Sequence, residues 1–166
     1  MNKLLTNVKD LKLEKHLLVI GFFAVFSLIY FYPLLQGKAL FQSDIAQFSG
    51  MAKQIVDHRE QFNEDPFWID NAFVGMPSYQ VAADYPFDMI DSLDKLVRFL
   101  PRPADYLFVY LFSFYILLIS LGIRMKYAVF GALTFALSTY LIIILGVGHN
   151  TKALAIGYAP IIVAGV

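Results

Sequence analysis

LLVIGFFAVFSLIYFYPLL, from Leu17 to Leu35, runs nineteen residues without a charge. At ~1.5 Å per residue it nearly matches a hydrocarbon core about 30 Å thick, so it is predicted to cross a bilayer. A cleaved secretory signal is the competing reading. Its apolar stretch would be about 7–15 residues long and end in small residues, whereas this one ends in Ile29-Tyr30-Phe31-Tyr32-Pro33. Two more uncharged runs, Tyr106–Ile123 and Tyr127–Gly148, are separated only by Arg124-Met125-Lys126 and read as a helical hairpin.

Working outward from these runs, the chain reads as all-α: a polytopic membrane helical bundle with a large extracytoplasmic loop containing amphipathic surface helices. Transmembrane helices are expected at 17–35, 105–123 and 127–148, and a fourth begins at 153–166. That last run stops after fourteen residues, so the chain is expected to be the front of a longer protein. Composition agrees: 58% of the residues are apolar and 16% charged, against roughly 45–50% and ~25% in soluble proteins. There are no cysteines, which excludes disulfides, thiolate metal sites and cysteine nucleophiles.

A net charge of zero hides an asymmetry. Residues 36–105 hold eleven of the thirteen acids and six bases, a net of −5 (6 − 11), while Lys3, Lys9, Lys12 and Lys15 precede the first run. Lys and Arg mark cytoplasmic flanks, so segment 1–16 and turn 124–126 are expected in the cytoplasm, with loop 36–104 and turn 149–152 on the opposite face. Tyr30, Tyr32, Trp68, Tyr106 and Tyr127 stand where interfacial aromatic belts would put them.

A connection of about seventy residues is long enough to be functional or a small domain. Within it, Ile45, Phe48, Ala52, Ile55 and Val56 make a helical stripe over about 45–60. A second stripe over about 87–100 runs Phe87, Ile90, Leu93, Leu96, Val97 and Leu100, with Asp88, Asp91, Asp94, Lys95 and Arg98 on its polar side. Both are expected to lie on the membrane surface, with a helical hairpin packing on itself as the alternative. Between them, Pro66–Tyr79 is aromatic and broken by Gly75-Met76-Pro77, which predicts a defined irregular loop. Pro101-Arg102-Pro103 stops the second helix.

Asp44 begins the first surface helix. With Gln47 it resembles a capping box; as chemistry, it is a carboxylate held at the surface as a general base or a ligand for a divalent cation such as Mg2+ or Mn2+. Gly148-His149-Asn150-Thr151-Lys152 is a short polar turn on the same face. His149, Asn150 and Lys152 suit an anionic group such as a phosphate, or else they form a solvated turn with Lys152 reaching toward headgroups. His16 and His58 read as solvated. GxGxxG, Walker, HExxH and GxSxG motifs are missing, which argues against a Rossmann or P-loop nucleotide site, and no nucleic-acid partner is expected.

Taken in order, YFYPLLQGK (Tyr30–Lys38), QSDIAQ (Gln42–Gln47), PFWIDNAFVGMPSY (Pro66–Tyr79), ALTFALSTYLII (Ala132–Ile143) and GHNTKA (Gly148–Ala153) resemble the N-terminal region of the bacterial YfhO family. That family is related to the C-type membrane glycosyltransferases. The resemblance covers nearly the whole chain. It implies a many-span protein of the bacterial cytoplasmic membrane that transfers a sugar from a polyprenyl-phosphate donor to a cell-envelope polymer. It also implies that Asp44 is the loop acid, serving as catalytic base or metal ligand, and that GHNTKA lies where the donor phosphate is met. Many C-type enzymes carry two adjacent acids at this point, whereas Asp44 is flanked by Ser43 and Ile45, which puts metal dependence in doubt. A transporter, flippase or assembly scaffold is the alternative outside enzymology. The uncharged runs carry only Ser27, Ser113, Ser120, Thr134, Ser138 and Thr139 as polar residues of the kind transport uses.

Overall fold

The computed structural model describes residues 13–82 and 89–166. Helix α1 (Leu13–Tyr30) is followed by a 3-10 turn (Tyr32–Gln36) and α2 (Ser43–Phe62). A two-stranded antiparallel ribbon, β1 (Trp68–Ile69) and β2 (Met76–Pro77), leads to α3 (Met89–Val97), α4 (Ala104–Ser120), α5 (Met125–Ala136), α6 (Thr139–Val147) and α7 (Asn150–Ala164). The protein is mostly helical, as expected.

Several boundaries move, each for a local reason. The first helix begins at Leu13, ahead of the apolar run, and ends before Pro33, whose ring opens the 3-10 turn. Residues 1–12, with Lys3, Lys9 and Lys12, and residues 83–88, with Phe87 and Asp88, lie outside the described residues. The run at 127–148 is two helices, α5 and α6, bent by 50° at Leu137-Ser138. There Ser138 turns extended (φ −60°, ψ 139°) and occupies the N-cap position of α6, a boundary place that serine favours. The turn expected at 149–152 shrinks to Gly148-His149, because Asn150, Thr151 and Lys152 already form the first turn of α7.

Helix α4 is the hub, with α1, α5 and α7 packed around it. From Ala104 to Leu111 every residue of α4 is buried. Small residues let its neighbours approach: Ala128, Ala132 and Ala136 form one fully buried seam of α5. On α7, a Cβ at Gly157 would stand 3.0 Å from Val109 Cγ1. Helix α1 is the exception to this burial. It is apolar all round yet buries only Phe23 and Ser27, leaving Leu17, Leu18, Phe22, Val25 and Ile29 exposed. Among the described residues it is the one single helix long and apolar enough to cross a membrane, and the bent α5–α6 pair passes the same test jointly.

A smaller core joins α2 to the ribbon, through Ile55, Ile69 and Ala72. The Gln54 side-chain oxygen accepts the amides of Asp70 (2.8 Å) and Asn71 (3.2 Å), fixing the ribbon to the helix. The stripe on α2 is therefore spent in part on protein contacts: Ala52 and Ile55 are buried in the chain, while Phe48 and Val56 stay exposed.

Candidate functional site

The first turn of α2 meets the corner between α6 and α7. Helix α6 ends on Gly148, whose left-handed φ of +97° lets its amide and that of His149 both return to the Ile144 carbonyl, at 3.0 and 3.2 Å. The next orphan carbonyl of that helix, on Leu145, accepts Gln42 Nε2 at 2.7 Å. The two chains touch so closely here that a Cβ on Gly148 would stand 2.8 Å from Gln42 Cβ and 3.2 Å from Ile45 Cγ1.

This seam puts Asp44 beside His149. The N-cap of α2 is Gln42, with no side-chain cap bond, so the capping box expected of Asp44 and Gln47 does not form. Asp44 lies inside the first turn, and its Oδ2 is 3.0 Å from His149 Nδ1, with both side chains about half exposed.

Around the pair opens a cleft of about 470 Å³, walled by Asp44, Ile45 and Phe48 of α2, by Arg102, and by Gly148 to Lys152. All four residues expected at a site, Asp44, His149, Asn150 and Lys152, line this one cleft. Lys152 Nζ rests 5.3 Å from the Tyr140 ring centre. The Asn150 side-chain oxygen is buried without a hydrogen-bond partner among the described residues, leaving an acceptor free. One acid, two fixed cations, a histidine and the free amides of a helix N-terminus give the cleft a balance that favours an anionic ligand.

Arg102 is the residue that sequence reasoning missed, since its proline neighbours made it read as a helix stop. The available signal was its place as a lone cation just before an uncharged run, on the face assigned to Asp44. It lies over the Tyr106 ring at 5.9 Å, and Arg98 lies over the same ring at 5.4 Å. Arg98 in turn is nearly buried between two carboxylates. It donates to Asp94 through Nε (2.7 Å) and Nη2, and to Asp105 through Nη1 (3.0 Å). Tyr158 of α7 donates to the other oxygen of Asp94 at 2.7 Å. Burial pushes the Asp94 carboxyl up, but hydrogen bonds from Arg98 and Tyr158 and the charges of Arg98 and Arg102 outweigh it, holding it below the usual range. The polar side of α3 is thus partly a buried clamp onto α4 and α7.

Two other histidines separate. His16 is not merely solvated, because its Nδ1 is 2.7 Å from the Tyr115 hydroxyl. His58 lies tilted against the Phe62 ring on α2 and lines no part of the cleft.

Holding a divalent cation was one of the roles open to Asp44, beside that of general base. The donor set does not fit one: no group of three His, Asp or Glu residues stands together among the described residues, and Arg102 and Lys152 would oppose a cation in the cleft.

No protein-family model matches the chain, and no curated protein or solved structure matches it either.

Proposed function

We propose that this chain belongs to a polytopic membrane glycosyltransferase of the YfhO kind, working on the outer face of the bacterial cytoplasmic membrane. The observation that carries the reading is the 3.0 Å contact between Asp44 and His149 in a cleft that also holds Arg102 and Lys152. Support for the membrane setting comes from α1, whose outer face leaves Leu17, Leu18, Phe22, Val25 and Ile29 exposed, which is costly in water.

In the reaction, Asp44 takes the proton of an acceptor hydroxyl on an envelope polymer. The acceptor oxygen then bonds to the anomeric carbon of the sugar, the bond from that carbon to the phosphate oxygen breaks, and polyprenyl phosphate leaves. His149 holds the Asp44 carboxylate through Nδ1. Arg102 and Lys152 offset the charge on the leaving phosphate.

The test is Asp44→Asn in the full-length protein, expressed to the normal level in its bacterial host. Removal of a general base predicts a loss of about 10²–10⁴ in transfer rate. Unchanged envelope glycosylation would overturn the assignment.

A second reading, a lipid flippase or transporter, draws on the 50° break between α5 and α6 and on the buried Arg98 network, since transporters use broken helices and buried charge. It predicts that Asp44→Asn leaves a lipid-translocation assay impaired with no sugar transfer to lose.

A further inference from the structure

The loop joining β1 to β2 ends in a tight turn, Ala72-Phe73-Val74-Gly75, closed by the Gly75 amide donating to the Ala72 carbonyl at 2.8 Å. Both central residues are left-handed, Phe73 at φ +51° and Val74 at φ +67°. A turn of this hand favours Asn-Gly, because a side chain crowds the backbone there and a β-branched one most of all. Phe-Val is among the pairs least suited to the place. The core gains nothing from them either, since Phe73 is 80% exposed and Val74 wholly so.

The turn is held in this shape from behind. Ala72 is buried, and Asn71 Nδ2 donates to the Gly50 and Met51 carbonyls of α2 at 3.1 and 3.2 Å. These bonds stand beside those that Gln54 accepts from the Asp70 and Asn71 amides. Gly75 lies so close to the Trp68 ring that a Cβ on it would stand 2.7 Å from Nε1. Backbone strain that the surroundings over-determine points to function rather than to folding.

Charge and position say what the tip meets. Of the eleven acids and six bases in residues 36–105, only Asp70 falls within 66–82, so the patch offers almost nothing to a charged partner. Back along the ribbon Phe67, Trp68 and Tyr79 are exposed, and rings with a polar edge, such as those of Trp and Tyr, favour headgroup depth. The pin is also near an end of a candidate span. Gly50 is eight residues past Gln42, about 12 Å along α2, and Gln42 is bonded to the last turn of α6 in the bent α5–α6 pair.

We propose that Phe73 and Val74 form an apolar finger that enters the bilayer surface on the side of the Asp44 cleft, steadying α2 against the membrane. This rests on the membrane setting of the proposed function and not on its sugar chemistry.

Trp68, the one tryptophan of this chain, is a built-in probe beside the tip. The experiment uses the full-length protein with Trp68 as its only tryptophan, in vesicles of phosphatidylcholine brominated near the headgroup end of its acyl chains. Trp68 emission is expected to be quenched by the brominated lipid and shielded from aqueous iodide. Phe73→Asn combined with Val74→Gly supplies the turn with its favoured pair, so the thermal midpoint should hold or rise while the lipid quenching is lost. Free access of iodide to Trp68 in the unaltered protein, or lipid quenching that persists in the double variant, would overturn the finger. Shielding from iodide without lipid quenching would overturn it too, in favour of a protein partner or a second copy. Val25→Trp on α1, in a Trp68→Phe background, separates the two readings with deeply brominated lipid. If that tryptophan is quenched and Trp68 is not, the finger fails and the membrane setting stands; if neither is quenched, both fall.

Discussion

Gly148 shows how much of the site hangs on one residue. Its φ of +97° is a conformation that costs residues with a side chain roughly 1–2 kcal/mol, and its missing Cβ is what lets Gln42 and Ile45 come so near. Gly148→Val is therefore expected to lower the thermal midpoint by several degrees and to cut activity, by forcing His149 away from Asp44. Gly50 is the contrast. It sits inside α2 with nothing within 4 Å of a built Cβ, so Gly50→Ala should stabilise by about 0.5–1 kcal/mol and leave activity alone. Thermal melts of the two variants, read beside sugar transfer, check both outcomes. Residue types at the site were legible before the fold was known: Asp44, His149, Asn150 and Lys152 are the chain's chemistry-bearing residues near apolar runs. Their convergence was not, because the contact joins positions 105 apart and depends on Gly148 and Gln42, which carry no chemical signal of their own.

Among the elements, α3 carries the most testable physics. Its apolar residues Met89, Leu93 and Leu96 remain exposed, while its polar side is fixed through Asp94 and Arg98 to Tyr158 and Asp105. Arg98→Leu leaves the buried Asp105 and the half-buried Asp94 without their shared ion-pair partner, a change that costs at most about 3–5 kcal/mol, and α3 is expected to come free of α4 and α7 at neutral pH. The acid dependence follows from the same contacts. Because the folded Asp94 carboxyl lies below its ordinary value, facing Arg98, Arg102, Tyr158 and Asp105, its stabilising effect is present above the unfolded value of about 3.9 and fades as pH falls through the folded one. Hydrogen exchange in α3 should thus stay slow at pH 5–7 and rise below about pH 4, ahead of α4. Protection in α3 that persists in Arg98→Leu would remove the clamp from the account. Periodicity found α2 and α3 because both have one apolar face. It missed the break at Ser138 since hydropathy is continuous across Ser138-Thr139, and a bend of 50° changes direction without changing polarity.

For the whole molecule, α1 and the buried hub pose one question: what covers the outside. Helix α4 is enclosed by α1, α5 and α7 through Phe23, Ala132 and Gly157. The outer sides of α1 and α5 still present Leu18, Val25, Ile29, Phe130 and Tyr127. In water that surface would drive association, and in a bilayer it is the solvent-facing surface. Under the proposed function, the Lys and Arg distribution predicts an orientation with Lys126 on the cytoplasmic side and the cleft residues on the other. Because the chain contains no cysteine, a single introduced one reports its own side of the membrane without background. Ser49→Cys on the exposed side of α2 is expected to react with a membrane-impermeant maleimide in intact cells of the bacterial host. Lys126→Cys should react only after the membrane is opened. Labelling of both positions from outside, or of neither, would contradict a bilayer around α1 with the Asp44 cleft on its outer face, and the glycosyltransferase reading would lose the compartment in which its lipid-linked donor is presented.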